Sequence, residues 1–192
     1  MSMIEINNFE IIRGVLKFPE EGGICHVQII HRKKDSDQGK SSTLIKDYFI
    51  ETLEDLEEKF KEMIQMAKKF HARVYISLNI KPCSKVHATL LSLLVDRLKQ
   101  GNYRSLPRLM RRAVDLTKTP KKDQWWLVDV DSKDREIVNK VLQSVGSQAF
   151  IVPTKNGFHI LSHPFRLDSF KQQFPTLDIH KDNPTLLYMI VD

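Results

Sequence analysis

The stretch WWLVDVD, residues 125–131, is an apolar run that ends in two aspartates, Asp129 and Asp131. It predicts a β-strand that is apolar on both faces until its end, as in the centre of a sheet. Because residues i and i+2 of a strand point to the same face, the two carboxylates project together. Two explanations fit this pair. The carboxylates share one divalent cation or hold two, or Asp129 lies in solvent at the strand end while Asp131 or Ser132 caps the next helix.

The segments after this strand are separated by turn and helix signals. SKDREIVNKVLQSVG has helical periodicity, and QAFIVPT and FHILSHPF read as two strands joined by Lys155-Asn156-Gly157. RLDSFKQQF predicts a short helix, and TLDIHKD, with or without TLLYMIV after it, predicts a last strand. The order β-α-β-β-α-β predicts a ferredoxin-like or RRM-like unit over residues 121–192, within an α+β fold.

The Asn156-Gly157 pair predicts a tight hairpin turn. In a two-residue turn at these positions, Lys155 pairs with Phe158 and Thr154 faces His159 across the ladder. The turn's free N–H groups can then meet a phosphate beside the Thr154 hydroxyl. Pro153 removes a ladder donor, so the pairing can differ by one residue.

The fold brings further polar groups toward the two aspartates. In a β-α-β-β-α-β unit the first and third strands are neighbours, so Asp129, Asp131 and His159 are expected to converge. The last strand adds Asp178 and His180, which point to one face. The sequence therefore predicts a polar cluster at one end of the sheet.

The first 120 residues predict a mixed α/β region. HVQII and TLIKDYFI read as the strands of a hairpin, and residues 52–70 form an amphipathic helix with Thr52 as its N-cap. RVYISLNI predicts a strand, and helices are expected at about 84–100 and 105–117. TKTPKKDQ, residues 117–124, is the predicted linker.

A basic segment precedes that linker. The formal net charge of the chain is +6, and residues 104–122 contain seven basic side chains against one acid, Asp115. Such a segment predicts a nucleic-acid surface or, equally, a solvated helix face. Its candidate contacts to nucleic acid are Arg104, Arg108, Arg111 and Arg112.

Cysteine usage and hydropathy bear on compartment. Cys25 and Cys83 have no CxxC partner, which favours neither a zinc site nor a disulfide framework. No apolar run approaches the length of a membrane span, and the first residues do not resemble a secretion signal. We therefore expect a reduced, cytoplasmic protein without a membrane partner.

Three motifs in this order resemble the catalytic core of the archaeo-eukaryotic primase superfamily, the primase-polymerases. WWLVDVD resembles the family's apolar strand ending in D-x-D, and TKNGFH resembles its hydroxyl residue, glycine turn and histidine. LDIH offers Asp178 for the later acidic motif, and Asp192 in YMIVD competes for that position. The resemblance covers about 70 residues, with the RRM-like scaffold in agreement.

The resemblance implies a nucleotidyltransferase of DNA replication with magnesium or manganese at its centre. It implies that Asp129, Asp131 and Asp178 bind the metal and act in catalysis, and that Thr154, Lys155 and His159 contact a nucleoside triphosphate. Nucleic acid is the implied template, and replication proteins are implied partners.

Two other functions use the same residues. One is a non-catalytic nucleic-acid-binding protein with a degenerate primase-like fold, and the other is a metal-dependent nuclease or phosphoesterase. Base stacking of the ordinary RRM kind is disfavoured, because the exposed end of the first strand is acidic rather than aromatic.

Overall fold

A computed structural model describes residues 4–33 and 41–191. Within these residues the chain is an α+β protein with two antiparallel sheets. The first sheet has the order β1-β10-β4-β2-β3, with β5 paired to β2, and the second has the order β7-β8-β6-β9. The strands of the first sheet are β1 (Ile4–Asn7), β2 (Gly23–His31), β3 (Thr43–Ile50), β4 (Arg73–Ile76), β5 (Lys81–Pro82) and β10 (Thr185–Val191). Those of the second are β6 (Trp126–Val130), β7 (Phe150–Pro153), β8 (Phe158–Ser162) and β9 (Asp178–His180).

The second sheet carries two helices on one face. The chain order is β6, α5 (Arg135–Val145), β7, β8, α6 (Leu167–Gln173), β9, so the predicted succession of elements is confirmed. Strand β6 lies between β8 and β9 and is antiparallel to both, which confirms that the first and third strands are neighbours. Val128, Val130 and Ile160 pack against Val141 of α5 and Phe170 of α6. Because this face of β6 is buried against the two helices, the alternate side chains of β6 point away from the helices.

The first sheet is built largely as the sequence predicts. The hairpin of β2 and β3 is present, and residues 34–40 between its strands lie outside the described residues. Helix α2 (Leu53–Lys69) begins after Thr52, whose side chain accepts a hydrogen bond from the Asp55 N–H at 3.1 Å. The other helices of this region are α1 (Phe9–Val15), α3 (Cys83–Lys99) and α4 (Leu109–Leu116).

The predicted helix at residues 105–117 is only partly correct. Tyr103–Arg108 forms a 3-10 helix, and α4 begins at Leu109 without a side-chain cap. Pro107 explains the difference, because proline has no N–H to donate and therefore disfavours a continuous α-helix through the segment. A second 3-10 turn, Lys121–Asp123, leads into β6.

After β9 of the second sheet, the chain returns to the first sheet as β10. It pairs with β1 and β4, whereas the predicted division at residue 120 assigned it to the C-terminal unit. Leu186, Leu187 and Tyr188 are each no more than 2% exposed, so successive residues of this strand are buried on both faces. Such a strand is stable in the middle of a sheet, and the first sheet supplies that position.

The two sheets share a core. Leu127, Val152 and Leu161 of the second sheet belong to the same buried cluster as Leu187 and Tyr188 of the first. The face of β6 that carries Leu127 and Asp129 therefore looks toward the first sheet. No helix in the described part of the chain is long and apolar enough to cross a bilayer.

Two buried asparagines connect the sheets. The Asn8 Nδ2 group donates to the carbonyls of Pro153 at 3.0 Å and Leu186 at 2.9 Å, joining β7 to β10. The Asn79 Nδ2 group donates to the carbonyls of Trp125 at 3.0 Å and Lys181 at 3.3 Å. These amides satisfy backbone groups at the sheet junction and fix the position of β6.

Candidate functional site

Asp129 lies at the centre of a polar group on three adjacent strands. It is directly opposite His159 of β8 and directly opposite Asp178 of β9. Directly opposed residues of an antiparallel pair share a face, so the structure brings these three predicted residues together. The His159 Nε2 and Asp129 Oδ1 atoms are 3.8 Å apart, and the Asp129 side chain is 35% exposed.

Asp131 is not the cap of the following helix. The N-cap of α5 is Asp134, whose carboxylate accepts from the Glu136 N–H at 2.8 Å, and the Ser132 hydroxyl accepts from the Asp134 N–H. The capping alternative for Asp131 or Ser132 is therefore wrong. Asp131 is exposed just beyond the end of β6. Its negative charge acts to raise the pKa of His159, but the effect of burial is larger and in the opposite direction.

His159 is a neutral imidazole held by the first sheet. Its Nδ1 atom is hydrogen-bonded to the Thr185 hydroxyl of β10 at 2.9 Å. Burial, with a smaller contribution from His180, lowers the pKa of His159 to about 4, against the opposing effect of Asp131. The Thr185 hydroxyl can donate to Nδ1 or accept from it, and in the tautomer in which it donates, the ring proton lies on Nε2, which faces Asp129.

The turn between β7 and β8 differs from the prediction. His159 is opposite Val152 and Phe158 is opposite Pro153, so the pairings Thr154–His159 and Lys155–Phe158 are wrong. The Thr154 N–H donates to the Gly157 carbonyl at 2.9 Å, which centres the turn on Lys155 and Asn156. The Gly157 N–H donates to the Thr154 hydroxyl at 3.1 Å, so this N–H is not available to a phosphate, whereas the Thr154 O–H keeps its own proton to donate. Lys155 is exposed at the tip.

Gly157 lies against the backbone of the DVD segment, which is residues 129–131, and of the residue that follows it. A Cβ atom at Gly157 would collide with the Val130 carbonyl oxygen and lie 2.6 Å from the Ser132 nitrogen. Its φ is not in the left-handed region, so the glycine serves close backbone approach rather than turn type. The turn thereby sets the path of the chain through Asp131.

The donor set fits one divalent cation at most. Carboxylate oxygens are the ligands that Mg²⁺ and Mn²⁺ prefer, and Mg²⁺ is commonly bound by one or two carboxylates with substrate phosphates completing the shell. Asp129 and Asp131 can supply these oxygens. Among the described residues, no three His, Cys, Asp or Glu side chains form a group that could hold a metal ion, and the role of Asp178 as a third ligand stays a prediction. Asp192 lies outside the described residues.

Arg111 has a structural partner. Its guanidinium donates to the Asp47 carboxylate, through Nε at 2.6 Å and through a second, shorter contact from Nη2, and His26 Nε2 is 2.9 Å from the same carboxylate. Burial raises the pKa of Asp47, but the hydrogen bonds from His26 and Arg111 outweigh it and the pKa is lowered. The Arg111 guanidinium is therefore engaged by Asp47, and its contact with nucleic acid stays a prediction. Arg104, Arg108 and Arg112 are exposed.

Buried polar residues that the sequence did not single out support the two sheets, and one of them, Thr185, contacts His159. Thr185, Asn79 and Lys81 are each no more than 5% exposed, and Lys81 pairs with Asp182 at 2.8 Å beside a polar pocket of about 290 Å³. Their partners lie 26 or more residues away along the chain. The one usable signal was the acid in the apolar strand TLIKDYFI, since Asp47 needed a cationic partner once buried.

We expect His159 to make the metal-free fold sensitive to acid. The unfolded chain takes up a proton near pH 6.5 and the folded chain only near pH 4, so the stability contribution is complete above 6.5 and is lost as the pH falls toward 4. The loss at about pH 5 should be about 2 kcal/mol. Urea unfolding of wild type and of His159→Gln, at about pH 5 and pH 7.5, measures it. Equal pH dependence in the two proteins would contradict the assignment.

The site thus combines two carboxylates at the end of a central strand, a neutral buried histidine and an adjacent third acid. Comparison of the chain with models of known protein families, with curated proteins and with solved structures finds no match.

Proposed function

We propose that the chain is a primase-polymerase-like nucleotidyltransferase that acts on nucleic acid by divalent-metal-dependent phosphoryl transfer. The observation that carries the proposal is the pairing of Asp129 with both His159 and Asp178 across adjacent strands. The order β7-β8-β6-β9, with every neighbouring pair antiparallel, supports a ferredoxin-like, RRM-like unit as its scaffold.

The proposed chemistry needs positioning and charge neutralisation rather than a covalent nucleophile. A bound Mg²⁺ or Mn²⁺ would neutralise the phosphates of the incoming nucleoside triphosphate. Asp129 and Asp131 would hold that ion, with Asp178 close by as the third acid. His159 would donate from Nε2 to a phosphate oxygen, with Thr185 fixing the ring. Lys155, exposed at the turn, can reach the same phosphates.

Primer extension tests this proposal directly. Wild type with Mn²⁺ or Mg²⁺, nucleoside triphosphates and a primed template is expected to lengthen the primer. The double variant D129N/D131N should lose at least about 100-fold of that activity, because the metal loses its carboxylates. Asp134→Asn is the matched control, since asparagine caps a helix as well as aspartate does and α5 should persist.

Other outcomes would replace the proposal. Degradation of the primer, lost in D129N/D131N, would make the chain a metal-dependent nuclease. Salt-sensitive nucleic-acid binding without chemistry, unchanged in that variant, would make it a non-catalytic binding protein. The lack of a three-ligand metal group among the described residues favours this second candidate over the nuclease.

The exposed arginines are expected to contact the template's phosphates. Changing all three to alanine should weaken binding and reduce the salt slope by up to about 3, because each phosphate contact releases about one counterion. Binding isotherms at several salt concentrations measure the slope. The three arginines changed in this variant are Arg104, Arg108 and Arg112.

A matched triple lysine variant on α2 removes the same charge from exposed positions and controls for net charge. An equal loss of affinity in the two variants would show that the arginines act only through net charge. The control set is Lys61, Lys68 and Lys69.

A further inference from the structure

A second cleft lies at the opposite end of β6 from Asp131. Its volume is about 660 Å³, which is in the range of sites that bind organic ligands. At about 3.3 Å per strand residue, Trp125 is about 20 Å from Asp131. The cleft is therefore separate from the Asp129 group, although both lie along the same strand. Aromatic and proline side chains contribute to its wall: Phe18, Pro19, Pro120, Trp125, Phe150 and His163.

The wall of the cleft carries a set of stacked rings. The Trp125 and His163 rings stack with centroids 4.3 Å apart and planes 30° apart, and the Phe150 ring is 5.6 Å from Trp125. Phe150 is 37% exposed, which is unusual for a large apolar side chain on a strand. His163 covers one face of Trp125, and the exposed Phe150 ring beside it offers a π face to a planar ligand.

Hydrogen bonds fix the main chain that carries Trp125 and the ring of His163. The Trp125 backbone N–H donates to Asn79 Oδ1 at 2.7 Å, and the Trp125 backbone carbonyl accepts from Asn79 Nδ2 at 3.0 Å. The His163 Nδ1 atom is hydrogen-bonded to the Gln124 carbonyl at 3.1 Å. The platform is thus ordered before any ligand arrives, which reduces the entropy lost on binding.

The charges around the cleft favour a polyanion whose planar bases can turn away from its charged backbone. Lys17 and Lys122 lie on the wall with Glu21 and Asp123, so the wall itself is balanced. The segment 117–124 beside it carries three lysines against one aspartate. Phosphates can follow that segment while bases enter the cleft, where the carboxylates can accept from base N–H groups, including the imide N–H of thymine.

We infer that this cleft binds the bases of single-stranded nucleic acid by stacking on Trp125 and Phe150. A duplex keeps its bases stacked on one another and cannot offer them to the rings, so the ligand is single-stranded. The inference goes beyond the proposed function, because it concerns a site remote from Asp129 and holds for a catalytic or a non-catalytic chain.

A single-tryptophan variant provides the readout. The chain has two tryptophans, and Trp126→Phe leaves Trp125 as the only indole. The Trp126 Nε1 group is buried without a hydrogen-bond partner, so its removal should cost little stability. Titration with an oligothymidylate of about ten nucleotides should quench Trp125 emission to saturation, and a duplex of the same length should not.

Phe150 supplies the test of contact. In the W126F background, Phe150→Ala should weaken oligothymidylate binding by about 5- to 100-fold, the loss typical of one stacked base. Phe70→Ala is the matched control, because Phe70, the C-cap residue that follows α2, is 38% exposed and is not among the residues that line the cleft. Phe150→Leu keeps the apolar volume without a π face and should also weaken binding if Phe150→Ala fails to fold.

Three results would overturn the inference. They are saturable oligonucleotide binding without a change in Trp125 emission, equal effects of Phe150→Ala and Phe70→Ala, and quenching by a proline-rich peptide but not by the oligonucleotide. D129N/D131N should still be quenched, with unchanged affinity, whether or not primer extension succeeds. Failure of the cleft and failure of the proposed chemistry are therefore distinguishable.

Discussion

Gly157→Ala is expected to destabilise the protein by about 2–4 kcal/mol, at or beyond the usual cost of an overpacked site. The added Cβ would collide with the Val130 carbonyl oxygen and crowd the Ser132 backbone. Both neighbours are main-chain atoms, so no flexible side chain can move aside. The turn must shift away from β6 instead, and the Gly157 N–H to Thr154 hydrogen bond would be strained with it.

Gly14→Ala is the matched control for this substitution. Gly14 lies in α1, and a Cβ there meets nothing within 4 Å, so the same change should stabilise the protein by about 0.5–1 kcal/mol. Urea denaturation of the two variants measures both signs. A cost below about 0.5 kcal/mol for Gly157→Ala would show that the turn and the DVD segment are not in close contact.

Gly157→Ala also bears on the proposed activity. The displaced turn would change the position of Asp131 relative to His159, and small misplacements of this kind can reduce turnover strongly. Primer extension by the folded fraction should therefore decrease in Gly157→Ala and persist in Gly14→Ala. Full activity of a destabilised Gly157→Ala protein would separate the turn from the chemistry.

The order of elements in the second sheet could be predicted because each boundary carries local information. The periodicity of α5, the apolar run of β6 and the glycine turn are all readable within a few residues. The opposition of Asp129 and His159 followed from that order, because the first and third strands of such a unit are adjacent. Local patterns were sufficient for the outline of the site.

The register of the hairpin could not be predicted in the same way. Asn-Gly is typical of a type I′ turn, but the Thr154 hydroxyl binds the Gly157 N–H and centres the turn one residue earlier. The glycine is explained by the nearby backbone of Val130, which belongs to another strand. Glycine occurs both in turns that need its conformational freedom and where two backbones approach closely. The sequence alone does not distinguish these two reasons for a glycine.

Long-range partners were also beyond the sequence. Arg111 looked like part of a basic surface, but 64 residues separate it from the Asp47 carboxylate that it binds. Thr185 holds His159 from a strand that belongs to the other sheet. No periodicity or spacing records such contacts, because they form only when helices and strands that are distant in the sequence pack together.

Asn79→Ala is expected to cost about 3 kcal/mol, because one buried amide makes three hydrogen bonds that alanine cannot replace. The backbone N–H of Trp125 loses its acceptor, and the backbone carbonyls of Trp125 and Lys181 lose their donor. These groups lie where β6 begins and where β9 has just ended, so the loss loosens both strands of the Asp129 group at once. Amide hydrogen exchange should accelerate in β6 and β9 more than in β2.

The asparagine controls isolate the effect of the sheet junction. Asn139→Ala, an exposed change on α5, should be neutral or slightly stabilising because alanine is the better helix former. Asn8→Ala removes the other inter-sheet amide and should cost a similar amount to Asn79→Ala. If the two amides hold one interface, the double variant will deviate from additivity, since a sheet freed at one junction gains less from the other. Strict additivity, with exchange unchanged in β6, would mean that each asparagine stabilises only its own loop and that the shared apolar core alone aligns Asp129 with Thr185 and His159.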